Sequence, residues 1–377
     1  MERRYDLDWL RVILFGILVP YHALVGFVSY GQDVYGYRNQ DVGGDLAEFT
    51  IFFLHGWRLP ALFLISGVGT WFLMRRRGAR QFLKNRSVRL LIPLVFGAVL
   101  WNSVIGYYQL LAAGQDWGFV DFFVERLKTR TPWKIGHLWF LVNLFLYSVA
   151  SLPLMFWLLS GQRRWFGWLL LAVLLIVPII LKPGGSTLIG VRWTFVTYWA
   201  FYLAGFWAMT LPRSSWYSLE RFRWIWLALG IGTIAVLGEI IGALAPDPDR
   251  MNLVIQGGWQ AKGWPFASVL TLGYGTLYAI NSALWCAAIF AFAHRFLNRT
   301  SAWLPTLNRV VYPFYIFHFV VLMVILFYLR QIGWPWFVEF LILTLGTFSG
   351  TALIVWAFDK SGPLGIIVGF SAKRRAN

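Results

Sequence analysis

The chain is poor in cysteine and in charge. It has one cysteine, Cys286, in 377 residues. That excludes a disulfide within the chain and a cluster of cysteine metal ligands. Cys286 falls in an apolar run, where a buried thiol and an acyl-carrying nucleophile are the two readings. Charged residues make up 13% of the chain, and only 16 are carboxylates. A soluble domain carries about 25% charged residues, so a soluble globular protein is excluded. Neither a GxGxxG nor a GxxxxGK[ST] loop occurs, so a nucleotide-like ligand would have to be held by basic side chains. Internal repeats and low-complexity segments are also missing, which points to one domain over residues 1–377. The first apolar stretch has no small-residue cleavage site and carries Arg11 and His22, so it reads as a retained span.

What is there is overwhelmingly apolar. Hydrophobic residues are 59% of the chain and the mean hydropathy is +0.62. Ten apolar segments stand out, at about 9–30, 49–74, 90–112, 137–160, 166–183, 191–211, 225–245, 265–293, 310–329 and 336–358. Each is near the ~20 residues a helix needs to cross a bilayer, and open strands cannot cross because their backbone groups would be unpaired. The net charge of +17 would suggest nucleic acid in a soluble protein. Here the basic residues are distributed by topology instead. With the N-terminus inside, two thirds of the Lys and Arg fall on the cytoplasmic side, including the runs Arg75–Arg76–Arg77, Arg163–Arg164 and Lys373–Arg374–Arg375. Many of the 23 Trp and 16 Tyr lie at segment ends, as an aromatic belt requires. The expected fold is all-α, a polytopic membrane helix bundle of about ten transmembrane helices with both termini cytoplasmic. Three longer outer connections remain: 31–48, 113–136 and 246–264. The second contains a short amphipathic helix with a proline stop.

Arg11 and His22 are the most informative pair. Eleven residues at about 100° each bring both side chains to one helix face, about 16 Å apart along the axis. Ionisable groups within a span are costly and face a protein interior or a wet cavity. The spacing leaves two readings: an active pair, or an Arg11 that snorkels to the headgroups beside a His22 used in packing. The other histidines are His55, His137, His294 and His318. His55 lies three residues before Arg58, and His137 opens the run GHLWFL with Trp139 behind it. Convergence of His22, His55 and His137 in the outer half of the bilayer is expected. No two histidines are four residues apart and few carboxylates are near, so no metal site is expected. A histidine in such a cavity suits general-base chemistry, since its unperturbed pKa is near neutrality. The basic connector 75–89 can bind anionic lipid. Arg86 and Arg89, three apart at the start of a span, can also fork onto phosphates.

These residues carry a resemblance. The segment YDLDWLRVILFGILVPYH resembles the first-helix signature of the acyltransferase-3 family, in which ten residues separate an Arg from a His. FFLHGWRLPALFLISG is similar to that family's second helix, and FLKNRSVRLLIP to its Arg-x-x-Arg block at the start of the third. GHLWFLVNL and AHRFLNRTSAWLPTLNRVVYPFYIFH resemble blocks of its glucan biosynthesis protein C branch. The resemblance runs from about residue 5 to 330. One departure is visible: members of the branch often read His-His where this chain has His318-Phe319.

The resemblance implies an integral-membrane O-acyltransferase of the bacterial inner membrane. The donor would be cytoplasmic acyl-CoA (succinyl-CoA or acetyl-CoA), with no permanently bound cofactor. The acceptor would be a hydroxyl of an envelope carbohydrate such as a glucan. It implies His22 as catalytic base and Arg11 as its cytoplasmic-side partner. Arg86, Arg89 and Arg76 would meet the CoA phosphates. His55, Arg58, His137, Trp139 and His318 would line the acceptor side. A secondary transporter or flippase is the alternative from another class, although the missing repeat and scarce intramembrane carboxylates count against it. The acyl group, the acceptor and the oligomeric state stay open.

Overall fold

The computed structural model describes residues 3–129, 135–161, 163–180, 192–244 and 269–370. These residues form helices and turns, with no strand among them. In chain order the helices are α1 (Tyr5–Gly16), α2 (Leu18–Val25), α3 (Gly31–Tyr35), α4 (Gly44–Met74), α5 (Ala79–Arg86), α6 (Ile92–Phe96), α7 (Asn102–Ala112), α8 (Phe119–Lys128), α9 (Trp139–Ala150), α10 (Leu152–Leu159), α11 (Phe166–Ile180), α12 (Arg192–Ala208), α13 (Arg213–Arg221), α14 (Arg223–Leu244), α15 (Val269–Phe296), α16 (Leu304–Leu329) and α17 (Trp336–Lys360). Widened turns at Ser87–Leu91 and Gly97–Trp101 join α5, α6 and α7 into one continuous run.

Seven of these runs are long and apolar enough to cross a membrane: Tyr5–Val25, Gly44–Met74, Ala79–Ala112, Arg223–Ala243, Gly273–Phe296, Leu304–Leu329 and Trp336–Lys360. The pair Gly136–Ala150 and Leu152–Leu159, bent by 60°, makes an eighth if it counts as one span. Pro153 explains the bend, because it cannot donate to the carbonyl one turn back. The two further expected spans fall on α11 and α12. Both are shorter than ~20 residues where described, and among the described residues seven to eight candidate spans are present. The first span ends at Val25, not near residue 30. It loosens at Gly16–Ile17, where Pro20 leaves the Gly16 carbonyl without its ladder donor. Leu345, Leu353 and Trp356 stand exposed along α17, as lipid-facing side chains do. The chain is a polytopic helical membrane protein.

The chain divides into two compact units, neither continuous in sequence. Unit 1 comprises Met1–Arg11, His55–Lys84 and Asn143–Thr300. Its helices pair α14 with α15, α11 with α12 and with α15, and α13 with α15. Asn281 on α15 donates to the Gly230 carbonyl at 3.0 Å and to Thr233 Oγ1 at 2.7 Å on α14. Such polar contacts hold helices together where lipid removes the hydrophobic drive.

Unit 2 comprises Val12–Leu54, Asn85–Val142 and Ser301–Asn377. In it α2 packs on α16 and α17, and α16 packs on α7. The core between them includes Phe27, Tyr37, Leu322, Met323 and Leu343. The expected outer connection 31–48 is a built loop strapped to the start of α17. Asn39 donates to the buried Glu339 carboxylate, whose other oxygen accepts from the Trp334 backbone at 2.7 Å. The Trp336 N–H donates to Asp41 at 2.8 Å. The expected amphipathic helix is α8, with Arg126 buried and Val120, Val124 and Leu127 exposed. Its proline stop, the connection 246–264 and the run Lys373–Arg375 lie outside the described residues.

Candidate active site

Unit 2 contains a cavity of about 350 Å³, within the range of small-molecule sites. Four of the expected site residues meet there. His22, His137 and Trp139 line it. His318 is buried beside it, with its ring centroid 5.5 Å from His22 and 5.6 Å from His137. Arg86 and Arg89 also belong to unit 2, the first half-buried just before the widened turn and the second exposed within it. Arg11, Arg76, His55 and Arg58 belong to unit 1. Within unit 2 the histidines that meet are His22, His137 and His318. Among the described residues, no group of three or more His, Cys, Asp or Glu is placed to hold a metal ion.

Local structure explains why His22 is held where it is. At the end of α2 the Gly26 N–H turns to Ala23 O at 3.0 Å rather than to His22 O. Terminal carbonyls of a helix need other donors, and the Tyr35 hydroxyl supplies one, donating to His22 O at 2.8 Å. The same Tyr35 oxygen lies 3.1 Å from His22 Nδ1. A phenol has one proton. With that proton on the carbonyl, the Nδ1–H donates to Tyr35 Oη and the lone pair of the imidazole sits on Nε2. Backbone carbonyls fix the other two rings in the same way. His318 Nδ1–H donates to Tyr315 O at 2.7 Å, leaving its lone pair on Nε2. His137 Nε2–H donates to Ile316 O at 3.2 Å. Its Nδ1 lone pair is buried without a hydrogen-bond partner among the described residues. Three imidazoles with hydrogen-bonded ring nitrogens thus cluster in one place.

Helix α7 positions both loops that feed the site. Asn102 and Gln109 are seven residues apart, so they share a face. Asn102 donates to Ile135 O at 2.7 Å and Gln109 to Tyr35 O at 2.7 Å. Each accepting carbonyl adjoins a left-handed glycine, Gly136 (φ 52°) or Gly36 (φ 83°), a conformation other residues adopt only with strain. The glycines turn the chain and the amides pin it, which sets His137 on one loop and Tyr35 on the other. The Tyr315 hydroxyl adds a bond to His137 O at 2.6 Å.

Phe319 fills the position where a second histidine was noted as common. Its ring lies 4.9 Å from His137, 5.2 Å from His22 and 5.2 Å from Tyr35. It therefore packs the three polar groups rather than adding a fourth. Sequence reasoning missed Tyr35, Asn102 and Gln109. The signals were present as Tyr35-Gly36, as Gly136-His137, and as two amides seven apart in an apolar run.

The fold and this cavity define a polytopic membrane protein with a histidine-centred site. The acyltransferase-3 family profile, an acyltransferase domain, matches residues 4–356. The chain belongs to that family. Among curated proteins it is similar to glucans biosynthesis protein C of Salmonella schwarzengrund (strain CVM19633) and of Salmonella typhi. Each is 24% identical over 165 residues, which is 43% of this chain and 41% of the relative. The match therefore spans well under half the length of these relatives. No solved structure matches.

Proposed function

We propose that the chain is a membrane O-acyltransferase that moves a succinyl or acetyl group from cytoplasmic acyl-CoA to a hydroxyl of a cell-envelope or periplasmic carbohydrate such as a glucan, with His22 as general base. The family membership supports acyl transfer, and the name of the relatives supports a glucan acceptor. The observation that carries the assignment of the base is the hydrogen-bond chain from His22 O through Tyr35 to His22 Nδ1 beside the cavity. It leaves Nε2 as the basic nitrogen. In this reading Nε2 takes the acceptor hydroxyl proton as that oxygen bonds to the thioester carbon. The carbon–sulfur bond then breaks, and the thiolate recovers the proton from the imidazolium. His137, Trp139 and His318 line the acceptor side, and the family resemblance also assigns His55 and Arg58 to the acceptor. Arg11 organises the donor side, and Arg76, Arg86 and Arg89 meet the donor's phosphates.

Mass spectrometry of envelope glycans from cells with and without the gene tests the activity. The expected difference is the mass of a succinyl or an acetyl group, and identical glycans would overturn the reading. Two variants test its parts. Tyr35→Phe removes the hydroxyl that orients His22. It is expected to lower kcat about ten-fold, the equivalent of one hydrogen bond, with little change in either KM. An unchanged kcat would show that His22 needs no such partner. Arg86→Ala with Arg89→Ala is expected to raise the KM for acyl-CoA about ten-fold or more and leave that for the acceptor unchanged. Equal effects on both substrates would argue against a phosphate role.

A further inference from the structure

Tyr35 ends a helix of 5 residues, Gly31–Tyr35, which is too short to hold itself together in isolation. The loop that follows is fastened from outside. The Tyr37 hydroxyl donates to Met323 O on α16 at 2.6 Å. The Asn39 N–H donates to Gly26 O, just past the end of α2, at 2.8 Å, and the Gly43 N–H donates to Phe27 O at 2.8 Å.

Asn39 is the hub of this fastening. It is buried, and its side-chain oxygen accepts from the Asp41 N–H at 3.0 Å. An N–H only donates, so the amide nitrogen is the atom that faces Glu339. Glu339 is fully buried in the first turn of α17. One of its oxygens takes the Asn39 amide, and the other takes the Trp334 N–H at 2.7 Å. A carboxylate is costly to bury unless hydrogen bonds compensate it. Packing alone needs no such group. What the pair adds is direction, since a hydrogen bond forms only where donor and acceptor are aligned. From Asn39 that alignment reaches α2 twice: through the bond to Gly26 O and, earlier in the loop, through the Tyr35 hydroxyl on His22 O.

We propose that Glu339 and Asn39 are positioning residues for transfer: their hydrogen bond latches the loop 31–43 onto α17 and so holds Tyr35 on His22. The effect on rate rests on the reading of His22 as the base; the effect on the loop does not. The latch can be reversed without being lost. Asn39→Asp alone sets two carboxylates against each other, which like charges in one site resist. Asn39→Asp together with Glu339→Gln turns the pair round. The new amide then donates, the new carboxylate accepts, and the bonds from the Asp41 and Trp334 N–H groups are kept.

Two measurements on the purified full-length protein in detergent test this. Amide hydrogen exchange over 31–43, which needs no substrate, is expected to quicken about ten-fold or more in Asn39→Asp and to return to the native rate in the swap. Transfer from labelled succinyl-CoA or acetyl-CoA is expected to lose about ten-fold in kcat in Asn39→Asp, as in Tyr35→Phe, with the donor KM unchanged, and to recover in the swap. In a Tyr35→Phe background the same substitution should lower kcat by no more than about two-fold, because the latch acts through that hydroxyl. Native exchange in Asn39→Asp would overturn the proposal, as would a swap that restores neither rate or a loss that simply adds to that of Tyr35→Phe. If Asn39→Asp alone does not fold, the swap decides: it is expected to fold and to transfer as the native protein does. Failure of the base is a separate result, in which transfer survives His22→Asn while exchange of the loop still follows the latch.

Discussion

His22→Asn is expected to lower acyl transfer by about two to four orders of magnitude while the protein still folds and inserts. The size is that of losing a positioned general base. Asparagine is the informative replacement because its Nδ2–H occupies much the same place as the imidazole Nδ1–H. It retains a donor toward Tyr35 Oη, 3.1 Å from Nδ1 in the native chain, and the Tyr35 bond to the backbone carbonyl does not depend on the side chain at all. What asparagine cannot supply is a basic nitrogen at the position of Nε2. A purely structural His22 would therefore tolerate this change, and a basic one would not. The measurement is transfer of labelled acyl groups in membranes that carry equal amounts of each protein, alongside thermal stability in detergent. Near-native transfer by His22→Asn would reject His22 as the base. Loss of both transfer and stability would assign it to packing. Comparison with Tyr35→Phe sharpens the reading, since that variant keeps the base but loses the group that sets its tautomer.

Much of this was legible in the sequence, and the missing parts share one physical cause. Helical spans follow from the length of apolar runs, so Trp336–Lys360 was found to within two residues and the end of Gly44–Met74 to the residue, though its start was placed five residues late. The bend at Pro153 was not, because hydropathy counts apolar residues without asking whether one straight helix holds them. His22, His137 and His318 were each singled out by their cost in an apolar setting. Which of them meet is a matter of tertiary contact between helices far apart in sequence, and a single chain carries no signal for that. His55 illustrates the point. It has the same local character as His137, yet it belongs to unit 1. Tyr35 was missed for a different reason: a tyrosine in a polar loop is ordinary until its hydroxyl is seen on a helix-end carbonyl. Asn102 and Gln109 are less excusable, since two amides on one face of a span cost about as much to bury as a histidine unless they are bonded.

Gly205→Val is expected to destabilise unit 1 by about 3 kcal/mol or more, at or above the upper end for overpacking. The reason is a reciprocal contact between α4 and α12. A Cβ built on Gly205 would lie 1.9 Å from the Leu64 carbonyl oxygen, and one built on Gly67 would lie 1.9 Å from the Tyr202 carbonyl oxygen. In each direction the glycine faces the backbone of the residue three positions before the partner glycine. Backbone atoms are the obstacle, so no rotamer change relieves the clash, and the helices themselves would have to part. Small residues at such crossings let backbones approach in a bilayer, where hydrophobic burial gives helices no reason to associate. The close approach in turn places buried hydroxyls within reach of each other. Thr70 Oγ1 lies 2.9 Å from the Tyr202 hydroxyl, and Ser148 Oγ lies 3.1 Å from it. Separating α4 from α12 would therefore break polar contacts as well as packing. Gly69 is the control within the same helix, since nothing lies within 4 Å of a Cβ built there. Gly69→Ala is expected to leave thermal stability unchanged or slightly raised, as the helix interior favours alanine over glycine by about 1 kcal/mol. Thermal unfolding of the three proteins in one detergent, followed by loss of the monodisperse peak in size-exclusion chromatography, separates the cases. If Gly205→Val melted with the native protein, the crossing would not be what holds these helices, and lipid or the rest of unit 1 would have to do so.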